Sequence, residues 1–213
     1  MASKEKERQR VAEIRDILDR EYPNATCTLE FSTPLELLVA TILAAQCTDE
    51  RVNRVTRSLF KTYKNAADYA EAPQEELEEA VRPTGYYRNK SKAIRGCCAQ
   101  IVQDFAGHVP EEMDALVSLK GIGRKTANLI RGSAFDRPGI VVDTHVKRVS
   151  RRLGLTKKNQ PVRIEQDLCA VIPTEAWTKF SWQLIYHGRR LCTARKPRCR
   201  DCTLSPLCPA AEL

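Results

Sequence analysis

Four cysteines stand close together near the C-terminus, as Cys192-x6-Cys199-x2-Cys202-x5-Cys208. Four thiolates in one short segment can converge on a single inorganic centre without ligands from elsewhere in the chain. Structural zinc sites usually pair two C-x2–4-C knuckles across a longer loop. Here only Cys199 and Cys202 form such a knuckle. The uneven spacing suits an iron–sulfur centre held by four thiolates better than tetrahedral zinc; zinc and disulfides are the alternatives. Disulfides sit poorly with an odd count of nine cysteines and an N-terminus without secretory features.

A second group of residues lies upstream. Leu119-Lys120-Gly121-Ile122-Gly123-Arg124-Lys125-Thr126-Ala127 falls between two helical patterns. Two glycines separated by one residue permit a tight turn and leave no side chain over the backbone amides. Those amides, at the start of a helix beginning near Arg124, form a ready anion site. Ile122 would plug inward. This is a helix-hairpin-helix signature, whose contact with nucleic acid is to sugar-phosphate and independent of sequence; the plain alternative is a helical corner with a glycine stop. Lys125 falls in the first turn of the second helix, where the helix dipole and desolvation would favour a free, nucleophilic amine. Its alternative role is phosphate binding. Val142-Asp143-Thr144-His145 follows. A carboxylate there can accept a proton and balance positive charge developing on a sugar, or it can simply N-cap the helix opening at Thr144.

The elements that must position these groups read as helix after helix. Thr33-Pro34-Leu35-Glu36 is a capping box with proline at the first helical position, opening an apolar run to Ala45. Val52, Val55 and Leu59 share one face of the next helix. Pro73 with Glu75 and Glu76 places acids in a first turn. Ile94, Cys97, Cys98, Ile101, Val102 and Phe105 recur at helical spacing, which makes Cys97 and Cys98 core residues. Pro110 is expected to start a helix containing Met113, Leu116 and Val117. Trp177, Phe180, Leu184 and Ile185 stripe a later one. Strand-like character is confined to Ile140-Val141-Val142. The fold class is all-α, with short connections and no flexible linker.

Charge is unevenly distributed. The net charge is +8, but residues 1–118 carry 16 Lys/Arg against 20 Asp/Glu, and residues 119–213 carry 19 against 7. A basic half that also carries the motifs points to a polyanion-binding face. Met1-Ala2-Ser3-Lys4-Glu5-Lys6-Glu7-Arg8 resembles neither a signal nor a transit peptide. No stretch is apolar enough to span a bilayer, so a soluble cytoplasmic protein with no membrane partner is expected, nucleoid-associated if bacterial.

The ordered set Gln46, the Gly121/Gly123 hairpin, Lys125, Val142-Asp143-Thr144-His145 and the four terminal cysteines resembles the endonuclease III family, from roughly residue 10 to Cys208. These are DNA glycosylases and AP lyases of the helix-hairpin-helix superfamily. The resemblance implies a two-domain helix-hairpin-helix glycosylase fold: a six-helix barrel over residues 27–137, and a discontinuous helical domain over 1–26 and 138–213 carrying a [4Fe–4S] cluster on Cys192, Cys199, Cys202 and Cys208. It implies a monomer acting on double-stranded DNA that holds an oxidised pyrimidine or an abasic site.

Family roles carry over residue by residue. Lys125 matches the lysine that attacks the deoxyribose C1′ and forms a Schiff base, and Asp143 matches the assisting carboxylate. Gln46 matches a gap-filling glutamine. Tyr86, in Gly85-Tyr86-Tyr87-Arg88, stands where a leucine wedge is expected, and stacking suits its ring. His145 matches a pocket-side histidine. Gly121, Gly123 and Arg124, with Arg195, Lys196 and Arg198 on the loop between the first two ligand cysteines, are expected to meet phosphate. Two alternatives stay open. One is a mismatch-specific glycosylase of the same fold, although the adenine-mismatch family carries a glutamate near the position of Thr41 and lacks the lysine. The other is a non-catalytic iron–sulfur DNA-binding module.

Overall fold

The computed structural model describes residues 2–212. Met1 and Leu213, which the bounds 1–26 and 138–213 take in, lie outside them. The chain divides into two compact units, one formed by Met1–Thr26 with Pro138–Leu213 and the other by Cys27–Arg137. The regular structure of both is helical, and no strand occurs among the described residues.

The Cys27–Arg137 unit contains α2 (Pro34–Leu43), α3 (Asp49–Thr62), α4 (Ala66–Glu71), α5 (Gln74–Val81), α6 (Tyr87–Phe105), α7 (Met113–Ser118) and α8 (Arg124–Ala134). Thr33 caps α2 as expected, its hydroxyl accepting from Glu36 N at 3.2 Å. The reciprocal half of the box is displaced: Glu36 accepts from Ser32 N at 2.5 Å, one residue outside the helix. The 19-residue α6 is the spine of the unit, with α4 and α5 packed along it. Ile94, Cys97, Cys98 and Ile101 are fully buried on its inner face, each large apolar side chain contributing about 1.5–3 kcal/mol. Burial pushes the Cys97 thiol up to about 12. Two expectations are corrected by the packing. Val102 is 41 % exposed and Val117 40 % exposed, because periodicity gives an angle on the helix but not whether a neighbour covers it. The helix expected from Pro110 starts at Met113 instead.

The other unit contains α1 (Ala2–Glu21), α9 (Thr144–Arg152), α10 (Pro161–Val171) and α11 (Trp177–Arg190). Here α11 is more than a one-sided stripe. Phe180, Ser181, Trp182, Gln183, Leu184, Ile185, His187 and Gly188 are all buried, and α1 and α9 pack against it. Val11, Ile14 and Leu18 form the buried face of α1, and Asp19 pairs with Lys179 at 2.6 Å and accepts from Gln183 at 2.8 Å. Gly188 permits the close crossing of α9, since a Cβ there would come within 3.0 Å of His145. Ile140-Val141-Val142 is not a strand. It is a buried segment without regular structure, with Val141 N donating to Ser181 Oγ at 3.0 Å. No helix among the described residues is long and apolar enough to cross a membrane.

Candidate functional site

The hairpin takes its shape from two hydrophobic anchors and one glycine. Leu119 and Ile122 are buried, and Ile122 N donates to Leu119 O at 3.1 Å. Between them Gly121 has φ +82°, a conformation that costs an L-residue roughly 1–2 kcal/mol. Gln100 braces the turn, accepting from Lys120 N at 3.1 Å and donating to Ser118 O at the same distance. Gly123 is the N-cap residue of α8 and supplies no side-chain cap. A Cβ on either glycine would meet nothing within 4 Å. No neighbouring group therefore crowds the two glycines at the start of α8, the end of a helix that favours an anion.

Arg124 and Lys125 form that first turn, and both are exposed. The burial expected for Lys125 is absent, because its side chain lies exposed on the helix surface.

Gln46 and Tyr86 are brought together. Both line a cavity of about 360 Å³ with Thr41, Asn89, Lys90 and Gly121. Both hold left-handed backbone, Gln46 at φ +53° and Tyr86 at φ +49°, and both present exposed side chains, Tyr86 at 66 %. Strained non-glycine residues persist only where the surroundings determine them strongly. Thr41 donates its hydroxyl to Leu38 O at 2.7 Å, and none of the described residues that line the cavity is an Asp or a Glu. Sequence reasoning missed Asn89 and Lys90, which lie at the start of α6 just after Tyr86.

In the other unit Asp143 caps α9, its Oδ1 accepting from Val146 N at 2.7 Å. The capping role is thus real, and a second carboxylate oxygen remains beside it. His145 is half-buried, with an Arg148 guanidinium nitrogen 3.1 Å from its Nδ1. Burial lowers its pKa; Arg148 and Arg189 lower it further while Asp143 opposes.

The four terminal cysteines line one cavity with Val149, Leu153, His187 and Leu204. Their backbone descends from α11 through two short 3-10 turns, Cys199–Asp201 and Ser205–Leu207. Arg148 donates to Cys192 O at 3.0 Å. Arg152 donates to Cys192 Sγ at 3.3 Å, to Thr193 O at 2.7 Å and to Ala194 O at 2.9 Å. Arg10 reaches Leu207 O at 2.9 Å. His187 Nε2 lies 3.7 Å from Cys202 Sγ, and burial holds that ring at about 4, hence neutral at physiological pH. Burial also raises the Cys202 and Cys208 thiols. No three or more His, Cys, Asp or Glu side chains among the described residues are disposed to hold a single metal ion. The four thiols nevertheless share the lining of this one cavity. On the loop they bound, Arg195, Lys196 and Arg198 are exposed, and Arg198 also donates to Arg190 O at 2.9 Å.

Residues 39–174 match the HhH-GPD superfamily base excision DNA repair protein model. Endonuclease III of Synechocystis is 53 % identical over 213 residues, covering 100 % of this chain and 96 % of its own. The chain belongs to the endonuclease III family. It is a base excision repair enzyme, a DNA glycosylase/AP lyase. Endonuclease III of Bacillus subtilis is 47 % identical over 188 residues, 88 % of this chain and 86 % of its own. A trapped endonuclease III–DNA covalent intermediate, solved as an estranged-adenine complex, superposes with a TM-score of 0.90 at 41 % identity, covering 96 % of each chain. The helical architecture of this family member is that of the endonuclease III structures.

Proposed function

We propose that this endonuclease III family member removes oxidised pyrimidines from double-stranded DNA and cuts the strand 3′ to the abasic site through a Schiff base on Lys125. The observation that carries the reading is an exposed lysine in the first turn of α8, directly behind a glycine hairpin with no neighbour over either glycine, in a chain so similar to a trapped covalent endonuclease III–DNA intermediate. The amides around Gly121 and Gly123, with Arg124, hold a phosphate. The Lys125 amine attacks C1′ and the base leaves. Loss of a C2′ proton from the resulting iminium then expels the 3′-phosphate oxygen. Asp143, its Oδ1 tied to the α9 amide, assists with its other oxygen as proton acceptor and counter-charge. Gln46 and Tyr86 fill the space a flipped nucleotide leaves, and His145 contributes on the pocket side. Thr41 in the cavity wall, where the adenine-mismatch enzymes carry a carboxylate, argues against that alternative.

Cys192, Cys199, Cys202 and Cys208 hold a [4Fe–4S] cluster in this reading. Ligation by Cys192 and Cys199 would fix both ends of the loop bearing Arg195, Lys196 and Arg198, which would then present three cations to phosphate. The protein acts as a cytoplasmic monomer. A panel of lesion-bearing duplexes, scored separately for base release and for nicking with borohydride trapping, tests the proposal. Release of oxidised pyrimidines with matched trapped complex is expected. Base release without any trapped complex would reassign the chain to a monofunctional glycosylase.

A further inference from the structure

We infer that Lys90 is a positioning residue whose buried ammonium ties together the two chain reversals that present Gln46 and Tyr86. The inference rests on the reading of those two residues as DNA contacts and adds what holds them in place.

Lys90 is only 4 % exposed. Its Nζ donates to Leu43 O at 2.7 Å and to Thr84 O at 2.8 Å. Burying an ammonium is costly unless its donors are satisfied, and a methionine would fill similar space without that cost. What the lysine adds is two charge-assisted bonds to main chain from two separate segments. Leu43 is the last residue of α2, where carbonyls lack helical donors and the dipole is negative. The amide that would have continued the helix onto Leu43 O, that of Cys47, lies 3.2 Å from Ala44 O instead. The lysine takes its place.

Three residues beyond Leu43 comes Gln46, and two beyond Thr84 comes Tyr86. Both are left-handed, and both line the same cavity as Lys90. Of the four non-glycine left-handed positions among the described residues, Gln46, Tyr86, Ala106 and Asp136, these two alone follow a carbonyl held by Lys90. The hydrogen bonds therefore act where the backbone is strained, and they set the spacing between two side chains that must enter one gap in the duplex. Small misplacements of such groups are expensive in rate.

A double-mutant cycle separates positioning from bulk stability. Single-turnover base release is measured at limiting and saturating lesion duplex for Lys90→Met, for Gln46→Ala/Tyr86→Ala, and for the triple variant. Borohydride trapping on a single-stranded abasic oligonucleotide, which has no helix gap to fill, is measured alongside. Lys90→Met is expected to raise KM for the lesion duplex about tenfold, within the range of coupled neighbours, while single-strand trapping stays at the wild-type rate. In the Gln46→Ala/Tyr86→Ala background the same change should have less than about a twofold effect, because nothing remains to position. Lys90→Gln keeps two N–H donors and should recover part of the loss; it carries the test if Lys90→Met fails to fold. Losses that multiply in the triple variant, or single-strand trapping that falls in step, would make Lys90 a general stability residue and overturn the inference. A Gln46→Ala/Tyr86→Ala protein that processes duplex lesions normally would instead remove the DNA-contact reading beneath it.

Discussion

The hairpin before α8 and the cysteine-bearing C-terminal segment both rely on main-chain polar groups, in opposite states. At the hairpin the main chain is left uncovered by side chains: Gly123 offers no side-chain cap, and neither glycine has a neighbour within 4 Å of its Cβ position. Around the cysteines the carbonyls are engaged. Arg10, Arg148, Arg152 and Arg198 each donate to at least one of them, at 2.7–3.0 Å. If the hairpin takes a phosphate, as proposed, its glycines must stay uncovered until the ligand arrives. A segment with little apolar core of its own has to satisfy its backbone internally, because each unmet buried carbonyl costs about 1–3 kcal/mol. The distribution of cations follows: in the hairpin Arg124 and Lys125 are exposed, whereas α9 turns two arginines in toward the cysteine loop.

The sharpest test of the accessible region is Lys125→Gln. It should abolish the borohydride-trapped complex and Schiff-base nicking while duplex binding largely survives, because the amides remain. Trapping at the wild-type rate would place the nucleophile elsewhere.

Asp143→Asn comes next. Asparagine keeps the cap, so melting should change little, while base release slows by roughly 10²–10⁴-fold, the scale of a positioned acid–base group. The effect on a pre-formed abasic site should be smaller, since no base is expelled. Early melting with near-normal turnover would reduce the residue to its capping role.

Arg152→Met probes the engaged region. It strips donors from Cys192 Sγ, Thr193 O and Ala194 O and should destabilise the C-terminal segment by about 2–3 kcal/mol. Chemical denaturation and iron content are the readouts, and trapping per folded molecule should hold. If stability and iron are unchanged, the arginine does not organise that segment.

The smallest effect should come from Lys196→Ala/Arg198→Ala. The slope of log affinity against log salt should flatten by about 0.9 for each phosphate no longer neutralised, equally on damaged and undamaged duplex. Since Arg198 also holds Arg190 O, Lys196→Ala alone should show the cleaner change. An unaltered slope would remove this loop from the DNA surface.

What could be read from the sequence was whatever is local in the chain. Helix periods placed Ile94, Cys97, Cys98 and Ile101 in the core, and the Thr33 and Asp143 caps were legible because a cap involves residues three apart. The hairpin turn at Gly121 was legible for the same reason, since its glycines and buried anchors lie within a few consecutive residues. Tertiary structure decided the rest. It left Val102 and Val117 uncovered, and it moved the Glu36 contact out to Ser32. It turned Arg148 and Arg152 into donors for a loop some 40 residues away. Most of all it buried Lys90 against a carbonyl 47 residues distant. Hydrogen-bond partners that far apart leave no periodic trace, because an ammonium is recognised by the geometry of two carbonyls and not by the identity of the residues that bear them.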